Sequence, residues 1–444
     1  MAIKVGMVSL GCAKNQVDGE VLMASLKNGG FDTVDDAALA DVAIVNTCGF
    51  IDSAKRESIE EILELVTLKK EGKISKIVVT GCLAERYRTE IMADIPEVDA
   101  VLGIGANGEI VKELQEMMGG AKVESYPDKY MMPLCGEREL TTPSYFAYIK
   151  IAEGCDNCCT YCAIPMIRGR FRSRTIENIM EEAVKLVENG ARELILIAQD
   201  TTRYGIDLYG EFSLYRLVKE LCKIDKLKWI RLLYCYPDAI TDQLLDVMAK
   251  EEKVVKYMDI PLQHASEGVL KAMNRRGDRE SLTALMKKIR ERVPGIILRT
   301  TFITGFPGET EEDFEELAEF VKEVKFDRLG CFPYSQEEGT VAGKMENQLE
   351  EEVKNRRAEL IMDSHMRIMD EKSRAYVGKT IEVLVEGFDR YAECWFGRSY
   401  MDSPDVDGKI FFAKCKKTKP VPGRFVNVKI EEAMDCDLMG TMEE

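Results

Sequence analysis

A cysteine-rich loop constrains this chain more than any other stretch of it. Four cysteines lie between positions 155 and 162, and three of them, Cys155, Cys159 and Cys162, follow the spacing C-x3-C-x2-C. Three soft thiolates so close together suit iron–sulfur or zinc chemistry. A 4Fe–4S cubane normally takes four cysteine ligands, so three cysteines would leave one iron open to a small molecule. The apolar run 147–151 predicts a strand, which puts the loop at the carboxyl end of that strand.

The same cysteines could instead form two zinc-binding C-x2-C pairs, one of them made by Cys155 and Cys158. Structural zinc sites separate such pairs by about a dozen residues, whereas here the pairs are adjacent. A redox-active C-x2-C pair is a further alternative. Cys158 fits neither interval of the C-x3-C-x2-C spacing, so we interpret it as a bystander that points away from the metal.

Length and composition bound the remaining possibilities. A chain of 444 residues is too long for one hydrophobic core, and roughly three domains are expected. We identify no signal peptide, and no apolar run approaches the roughly 20 residues that a membrane span needs. Clustered thiols without a secretion signal predict a cytoplasmic protein in a reducing compartment. The net charge of −17 argues against broad affinity for nucleic acid and permits a basic partner.

The first part of the chain, residues 1–118, alternates between predicted strands and predicted helices. The β-rich runs are 3–10, 42–46, 77–80 and 98–102, and helical periodicity covers 17–28, 54–69 and 84–93. This alternation predicts a parallel sheet in a doubly wound α/β domain. Residues 119–143 lack periodicity and contain several glycines and prolines, so we predict a linker there.

Three cysteines stand at equivalent places in the first domain. Cys12, Cys48 and Cys82 each follow a predicted strand and each has a glycine or threonine beside it. In open α/β sheets, ligands gather just beyond the carboxyl ends of the strands. The three thiolates are therefore expected to meet at one point and to hold a second metal cluster. The alternative is that they are three small buried hydrophobic side chains, which is a common role of cysteine.

Two groups of motifs resemble a known family. The C-x3-C-x2-C loop after a strand is the signature of radical S-adenosylmethionine (SAM) enzymes. Residues 9–20 (SLGCAKNQVDGE) and 46–55 (NTCGFIDSAK) are similar to the methylthiotransferases, and most similar to the branch that modifies an aspartate of ribosomal protein S-twelve. The resemblance implies two 4Fe–4S clusters, one on the loop cysteines and an auxiliary one on the three N-terminal cysteines. Gly19 departs from the serine that is usual there, which weakens any role for a hydroxyl at this position.

The rest of the chain fits two further domains of this family. Six strand–helix units within residues 144–375 suit the open six-stranded (β/α) barrel of radical SAM enzymes, with a charged connecting helix at its end. Such a barrel places its chemistry at the carboxyl ends of its strands. Residues 376–444 contain alternating runs broken by glycine and proline. They predict a small antiparallel β-barrel of the OB type, similar to the TRAM domain that ends methylthiotransferases.

Four residues of the predicted barrel are candidates for contacts with SAM. Tyr161 lies within the cysteine loop, Gln199 follows the second predicted strand, and Gly305 lies in a turn after the fifth. Arg299, within the fifth strand, could face the carboxylate of SAM. For each position, a role in a turn or in support of other residues is the alternative.

The resemblance implies a radical reaction that uses both clusters and SAM. The cluster of the cysteine loop would bind and cleave SAM, and the resulting 5′-deoxyadenosyl radical would take a hydrogen from an unactivated carbon. The auxiliary cluster would carry the inserted sulfur, and a second SAM would supply its methyl group. The expected substrate is the β-carbon of an aspartate in S-twelve. The other expected partners are an electron donor such as flavodoxin or ferredoxin and a sulfur donor, with no membrane involved.

Two other functions stay open on the sequence alone. A methylthiotransferase for a modified adenosine in tRNA would use basic stretches such as 168–172 and 414–419 to neutralise phosphates. From Gly378 on, however, ten Lys and Arg stand against thirteen Asp and Glu, so tRNA is the less expected partner. A two-cluster electron carrier or scaffold without catalysis would need every iron ligated, and it would not respond to SAM.

Overall fold

The N-terminal region forms a parallel sheet of six strands. The computed structural model describes residues 2–415 and 418–443. The strands of this sheet are β1 (Lys4–Ser9), β2 (Asp32–Val34), β3 (Val42–Thr47), β4 (Lys76–Gly81), β5 (Ala100–Leu102) and β6 (Val123–Ser125). They pair in the order β2-β1-β3-β4-β5-β6, and every pairing is parallel.

Helices cover both faces of this sheet, because alternate residues of its strands point in opposite directions. The helices are α1 (Ala13–Asn28), α2 (Asp52–Lys70), α3 (Cys82–Asp94) and α4 (Ile110–Met118). Val42 and Ile44 of β3 pack in one apolar core with α1 and α4, whereas Ala43 and Val45 pack in another with α2 and α3. The doubly wound α/β domain predicted from the alternation of elements is confirmed.

The stretch predicted as a linker, 119–143, differs from that expectation at its start. It contains β6, which pairs with β5 at the edge of the first sheet. This strand is only three residues long, so it leaves no periodicity that a sequence pattern can detect. The first sheet therefore extends beyond the boundary expected at residue 118.

The central region forms a second parallel sheet. Its strands, with a small pair beside them, are β7 (Phe146–Lys150), β8 (Ala152–Glu153), β9 (Arg172–Ser173), β10 (Glu193–Ile197), β11 (Trp229–Leu232), β12 (Val254–Asp259), β13 (Ile297–Thr304) and β14 (Arg328–Pro333). Six of them pair in parallel in the order β14-β13-β12-β11-β10-β7, while β8 and β9 form a separate antiparallel pair. The ends β7 and β14 do not pair with each other, which agrees with the open six-stranded sheet that was predicted.

Helices follow the strands of the central sheet. They are α5 (Ile164–Arg168), α6 (Ile176–Glu188), α7 (Ile206–Tyr209), α8 (Leu214–Cys222), α9 (Asp242–Lys250), α10 (Glu267–Ala272), α11 (Arg279–Arg292), α12 (Glu311–Val324) and α13 (Glu351–Arg374). Thr175, Asp278 and Thr310 cap the starts of α6, α11 and α12 with their side chains. Such caps satisfy backbone N–H groups that have no partner within the helix.

The two faces of the central sheet have different partners. Leu194 and Leu196 of β10 pack in the core that the surrounding helices share. Ile195 and Ile197, on the opposite face, belong to a core that includes the C-terminal barrel and Val17 of α1. The inner face of the central sheet is therefore covered by the C-terminal region and approached by the first helix of the N-terminal domain.

The C-terminal region is a closed barrel of five strands. They are β15 (Thr380–Asp389), β16 (Cys394–Arg398), β17 (Ile410–Ala413), β18 (Phe425–Met434) and β19 (Asp437–Met442), arranged β15-β16-β17-β19-β18. The barrel was expected to be antiparallel, and four of its pairings are, but β17 and β19 run parallel. A closed ring with an odd number of strands cannot alternate direction at every step, so one parallel pairing is required.

None of the helices in the described residues combines the length and the apolar character that crossing a bilayer requires.

Candidate active site

The cysteine loop leaves the carboxyl end of the first strand of the central sheet. The short pairing of β8 with β9 closes its base, and the Cys155 N–H donates to the carbonyl of Gly169 at 3.1 Å. Gly154, directly before the first cysteine, has φ +77°, and a Cβ atom there would lie 2.1 Å from the carbonyl oxygen of Arg170. Only glycine allows so close an approach of two chain segments. This contact holds the first cysteine at the strand end.

Three cysteines of the loop lie close enough to influence one another's ionisation. Burial, followed by the neighbouring Cys159 and Cys155, raises the pKa of Cys162 to about 12. Burial also raises the pKa of Cys155 to about 11, with a smaller contribution from Cys159. The Sγ atom of Cys159 lies 3.8 Å from Nη1 of Arg275. Thiols with raised pKa values lose their protons when a metal binds them, so metal binding here would release protons.

Cys158 is placed differently from the other cysteines of the loop. Its side chain is exposed, and its backbone is left-handed with φ +50°. Among the described residues, no group of three or more His, Cys, Asp or Glu side chains is arranged to hold a single metal ion. A 4Fe–4S cubane does not require that arrangement, because each thiolate binds a different iron atom.

The N-terminal cysteines come from three turns at the carboxyl edge of the first sheet. Cys12 precedes the first residue of α1, Cys48 follows β3, and Cys82 begins α3 directly after β4. Burial raises the pKa of Cys48 to about 12, and the nearby Cys82 and Cys12 add to this effect. The structure thus brings the three thiols together at one point of the sheet edge.

Two glycines allow the turns that carry these cysteines to approach each other. Gly11 has φ +85°, and a Cβ atom there would lie 2.7 Å from the Cβ and 2.9 Å from the Sγ of Cys48. Gly81 has φ +93°, and its Cβ would lie 2.5 Å from the carbonyl oxygen of Thr47. Both positions combine a left-handed backbone with a lack of space, so a side chain at either would push the turns apart.

A buried network of charges links Cys82 to Glu153 at the base of the cysteine loop. Arg168, the last residue of α5, is 1% exposed, and its Nη2 lies 3.2 Å from the Sγ of Cys82. Its Nη1 pairs with Asp18 of α1 and lies 3.4 Å from Glu153. Lys150 pairs with the same two carboxylates. Two cations and two anions thus compensate each other, which is the condition under which charges can be buried.

This network fixes the charge of its central carboxylate. Burial alone would raise the pKa of Glu153, but Lys150 and Arg168 lower it to about 2. Glu153 also accepts a hydrogen bond from Nε2 of Gln199 at 2.8 Å. Through Lys150 and Arg168, which also pair with Asp18, the ionised Glu153 links α1 of the N-terminal domain to the residues that follow β10.

The basic stretches noted in the sequence are only partly surface features. In 168–172, Arg168 is buried in the network described above, whereas Arg170 is exposed. In 414–419, Lys416 and Lys417 lie outside the described residues. The first of these stretches therefore offers fewer cations to a polyanion than its sequence indicates.

Two of the predicted SAM contacts lie beside the cysteine loop. The hydroxyl of Tyr161 is 3.5 Å from Nη1 of Arg275, the residue that also contacts Cys159. Gln199 donates to Glu153, but its buried Oε1 atom has no hydrogen-bond partner among the described residues. A buried polar atom without a partner is costly. The amide oxygen of Gln199 thus fits a site that receives a donor from a bound ligand such as the amino group of SAM.

The other two predicted contacts have different roles in the structure. Gly305, with φ +71°, donates its N–H to Glu309 at 2.8 Å, and a Cβ atom there would lie 2.3 Å from Cγ of Lys354 in α13. Arg299 lies near the start of β13, where its Nη1 is 3.0 Å from Asp259 and its Nε is 3.6 Å from Asp407 of the C-terminal barrel. Two carboxylates already neutralise this guanidinium. The structure therefore does not present Arg299 to a SAM carboxylate, because the residue lies at the end of the sheet that the C-terminal barrel covers.

Comparison with known families divides the chain into three matches. Residues 4–103 match the Uncharacterized protein family UPF0004, residues 149–321 match the Radical SAM superfamily, and residues 377–442 match the TRAM domain. The order of these matches is the order of the two parallel sheets and the closed barrel described above.

Relatives that align over nearly the whole chain decide the family. The ribosomal protein uS12 methylthiotransferase RimO of Thermoanaerobacter sp. (strain X514) is 48% identical over 437 residues, which cover 98% of this chain and 99% of that protein. The RimO protein of Pelotomaculum thermopropionicum is 50% identical over 442 residues, which cover 99% of each. This chain belongs to the RimO family of radical SAM methylthiotransferases. The family that the cysteine motifs indicated is confirmed.

Solved structures with a similar fold belong to other radical SAM enzymes. The methyltransferase TsrM from Kitasatospora setae matches with a TM-score of 0.58 and 15% identity, over 75% of each chain. The radical enzyme OxsB matches with a TM-score of 0.52 and 14% identity, over 82% of this chain and 56% of that one. At this identity the similarity shows the fold alone, and it agrees with the open sheet predicted for the central region.

Membership in the RimO family explains why the central site combines three cysteine thiols with the unpartnered oxygen of Gln199. A radical SAM enzyme uses an iron–sulfur cluster and SAM, and three adjacent thiols on one loop are the ligands that such a cluster prefers. The unpartnered oxygen of Gln199 provides an acceptor beside that loop. The residues present therefore fit both an iron–sulfur cluster and SAM.

Several residues of the site were not singled out in the sequence. Lys150 and Glu153 stand three residues apart at the end of an otherwise apolar strand, and this was a detectable signal of a buried ion pair. Arg168 and Arg275 had no such signal. Arg275 donates to the carbonyl of Pro261 at 2.7 Å and lies over the ring of Tyr236, contacts that only the folded chain creates.

Proposed function

We propose that this protein transfers a methylthio group to the β-carbon of an aspartate in the small-subunit ribosomal protein uS12, named S-twelve above. The observation that carries the proposal is the similarity to uS12 methylthiotransferases, at 48% identity over 98% of the chain for one relative and 50% over 99% for another. The three regions of the chain also follow each other as this activity requires, with a cysteine site in each of the first two.

The proposed enzyme holds two 4Fe–4S clusters. Cys155, Cys159 and Cys162 would hold the cluster that binds SAM, and the three thiols at the edge of the first sheet (Cys12, Cys48 and Cys82) would hold the auxiliary cluster. When bound, these groups and SAM supply the radical that removes a substrate hydrogen, the inserted sulfur and its methyl group. The closeness of the thiols within each group supports this assignment.

The chain itself supplies binding, orientation and shielding from water. Gln199 offers its unpartnered oxygen to SAM, and Arg275 contacts both Cys159 and Tyr161 of the cysteine loop. The buried charge network around Arg168 fixes the N-terminal domain over the same end of the central sheet. A radical formed there is thereby enclosed by protein, which suppresses side reactions with solvent.

Charge supports a ribosomal protein as the substrate. The chain carries a net charge of −17, and its C-terminal region has more acidic than basic residues. Such a surface attracts a basic protein and raises the rate of encounter more than the final affinity. We further propose that flavodoxin or ferredoxin supplies the electrons and that a sulfur donor reloads the auxiliary cluster after each turnover.

The test is a reaction with purified components. The anaerobically reconstituted enzyme is incubated with SAM, sulfide, a reductant and either uS12 or tRNA carrying isopentenyl-adenosine or threonylcarbamoyl-adenosine. Mass spectrometry should find a methylthio group on one aspartate of uS12 and no change in the tRNA. A methylthio group on the tRNA and none on uS12 would falsify the proposed function.

A further inference from the structure

Lys14 is a buried cation beside the N-terminal cysteines. It lies in the first turn of α1, two residues after Cys12, and its side chain is 7% exposed. Its Nζ atom lies 3.2 Å from the centre of the Tyr234 ring. The ammonium group is therefore held between the N-terminal cysteines and an aromatic side chain of the central sheet.

The charge of Lys14 has no carboxylate partner in the described part of the chain. No Asp or Glu oxygen there lies within 4.0 Å of its Nζ. The two other buried cations of this region, Arg168 and Lys150, are both paired with Asp18 and Glu153. A buried charge is costly unless an opposite charge accompanies it. The unpaired ammonium of Lys14 is thus ready to receive an anion that the chain does not supply.

Lys14 lies at the carboxyl edge of the central sheet, next to Tyr234. Tyr234 follows β11 at the carboxyl edge of the central sheet, and its carbonyl accepts a hydrogen bond from Thr201 N–H, two residues after Gln199. Ala13 and Val17, the neighbours of Lys14 along α1, pack against the inner face of the same sheet. The ammonium therefore lies between the proposed auxiliary cluster and the end of the sheet that carries the cysteine loop.

We propose that Lys14 binds the side-chain carboxylate of the substrate aspartate and so places its β-carbon next to the auxiliary site. The inference rests on the proposed function, in which the modified carbon is bonded directly to that carboxylate. A cation that holds the carboxylate restricts the positions that the adjacent β-carbon can take. A carboxylate also binds an ammonium more strongly than an aromatic ring does, so it can replace the contact with Tyr234.

A different role for Lys14 would be to compensate the negative charge of a cluster on Cys12. The two roles predict different changes in a Lys14→Met variant, which keeps an apolar chain of similar length. If Lys14 compensates the charge of the cluster, its replacement would change the iron content or the electron paramagnetic resonance spectrum of the auxiliary cluster. If Lys14 binds the substrate, its replacement would leave the iron content and the spectrum unchanged and would weaken the binding of uS12.

The experiment measures the Kd of the holoenzyme for a labelled uS12 peptide that carries the aspartate, without reductant so that no turnover occurs. Lys14→Met should raise the Kd by about 10- to 100-fold, the range expected for a lost charge-assisted hydrogen bond. Lys14→Arg should recover part of this loss. Lys27→Met is the matched control, because Lys27 lies on the same helix but is exposed and paired with Glu139.

The substrate provides the second half of the test and does not depend on the stability of any enzyme variant. A peptide with Asn in place of the aspartate should bind the native enzyme about 10- to 100-fold more weakly. The Lys14→Met variant should bind the Asn peptide and the Asp peptide with equal affinity, because the two changes remove the same contact. Equal affinity of the native enzyme for both peptides, or an unchanged Kd in Lys14→Met, would overturn the role of Lys14. A native enzyme that modifies tRNA and not uS12 would overturn the proposed function itself.

Discussion

The two cysteine sites of this protein are assembled in different ways. The three loop cysteines lie within one turn after β8, and Gly154 is the main conformational requirement at its entrance. The three N-terminal cysteines lie far apart in the sequence, in turns that only the parallel pairing of β1, β3 and β4 brings together. The first site is thus a property of a short segment, whereas the second is a property of a whole sheet.

This difference extends to the charges around the two sites. Cys159 has its cation, Arg275, within the central domain, in the segment that follows α10. Cys82 has its cation, Arg168, from the other domain. The cation beside Cys82 therefore depends on how the two domains are joined, whereas the cation beside Cys159 does not. Substitutions at the two sites should have correspondingly different effects.

Removal of the loop thiols should have the largest effect. Replacement of Cys155, Cys159 and Cys162 by Ala should lower the iron content from about eight to about four per chain, because one cubane loses its ligands. Production of 5′-deoxyadenosine should fall below detection, and methylthiolation with it. Iron analysis and chromatography of the reaction products measure both quantities. If 5′-deoxyadenosine is still formed by this variant, the assignment of the radical site is wrong.

Removal of the N-terminal thiols should separate the two half-reactions. Replacement of Cys12, Cys48 and Cys82 by Ala should also leave about four iron per chain. Cleavage of SAM should survive, because the loop cysteines lie in the central domain, after β8. Methylthiolation of uS12 should disappear. Full formation of the methylthio product by this variant would remove the auxiliary cluster from the mechanism.

The junction between the domains can be tested through Arg168. Replacement of Arg168 by Met leaves Asp18 and Glu153 with one cation fewer, and breaking a buried ion pair costs about 3–5 kcal/mol. For a domain of this size that lowers the midpoint of thermal unfolding by about 10 °C. Circular dichroism of the apoprotein measures the midpoint.

The control for this variant is Arg170→Met. Arg170 lies two residues further along, is exposed, and has no carboxylate partner among the described residues. Its replacement should change the stability by no more than about 0.5 kcal/mol, as is usual for surface positions. If both variants melt at the temperature of the native protein, the charge network does not hold the two domains together.

Two glycine substitutions can separate the effect of the backbone conformation from the effect of the close contact between Gly11 and Cys48. Gly11 and Gly30 have similar backbones, with φ +85° and φ +91°, but only Gly11 faces Cys48, since nothing lies within 4 Å of a Cβ atom at Gly30. Gly30→Ala should cost about 1 kcal/mol for the left-handed backbone. Gly11→Ala should cost about 1–3 kcal/mol more because it also overpacks the turn.

Iron content distinguishes the two glycine variants further. Gly11→Ala should displace Cys48 and lower the iron content toward about four per chain, whereas Gly30→Ala should keep about eight. Equal iron content in the two variants would show that the approach of Gly11 to Cys48 is not needed for the auxiliary cluster. Reconstitution of both proteins in parallel provides the comparison.

Features that depend on local sequence were predictable, and those that depend on contacts between domains were not. The alternation of strands and helices predicted both parallel sheets, which are confirmed. The C-x3-C-x2-C spacing is also a local feature, and its assignment of Cys155, Cys159 and Cys162 to the SAM cluster stays a prediction. Arg299 was expected to face SAM because it lies in a barrel strand. One of its two carboxylate partners, Asp259, lies on the neighbouring strand. The other, Asp407, belongs to the C-terminal region, and no pattern within β13 indicates where that region packs.

The same distinction explains the remaining differences. The strand β6 has only three residues, so its pairing with β5 is visible only in the sheet. Arg168 stands in a basic stretch that suggests a phosphate-binding surface. In the structure it is buried and paired with Asp18 and Glu153. A charge pattern shows which residues are basic, but the location of their partners decides whether they reach the solvent.

The smallest effect is expected at Cys158, which lies inside the cysteine loop but outside the C-x3-C-x2-C spacing. Its side chain is exposed, and the turn is held through its backbone, because Nδ2 of Asn274 donates to the Cys158 carbonyl at 3.1 Å. Serine keeps the size of the side chain and leaves that carbonyl unchanged. Cys158→Ser should therefore retain about eight iron per chain, SAM cleavage and methylthiolation, in contrast to every change of the other three loop cysteines. The single variants Cys155→Ser and Cys158→Ser, reconstituted side by side, make the comparison direct. A loss of about four iron in Cys158→Ser would mean that this thiolate is a ligand and that the spacing selects the wrong cysteines.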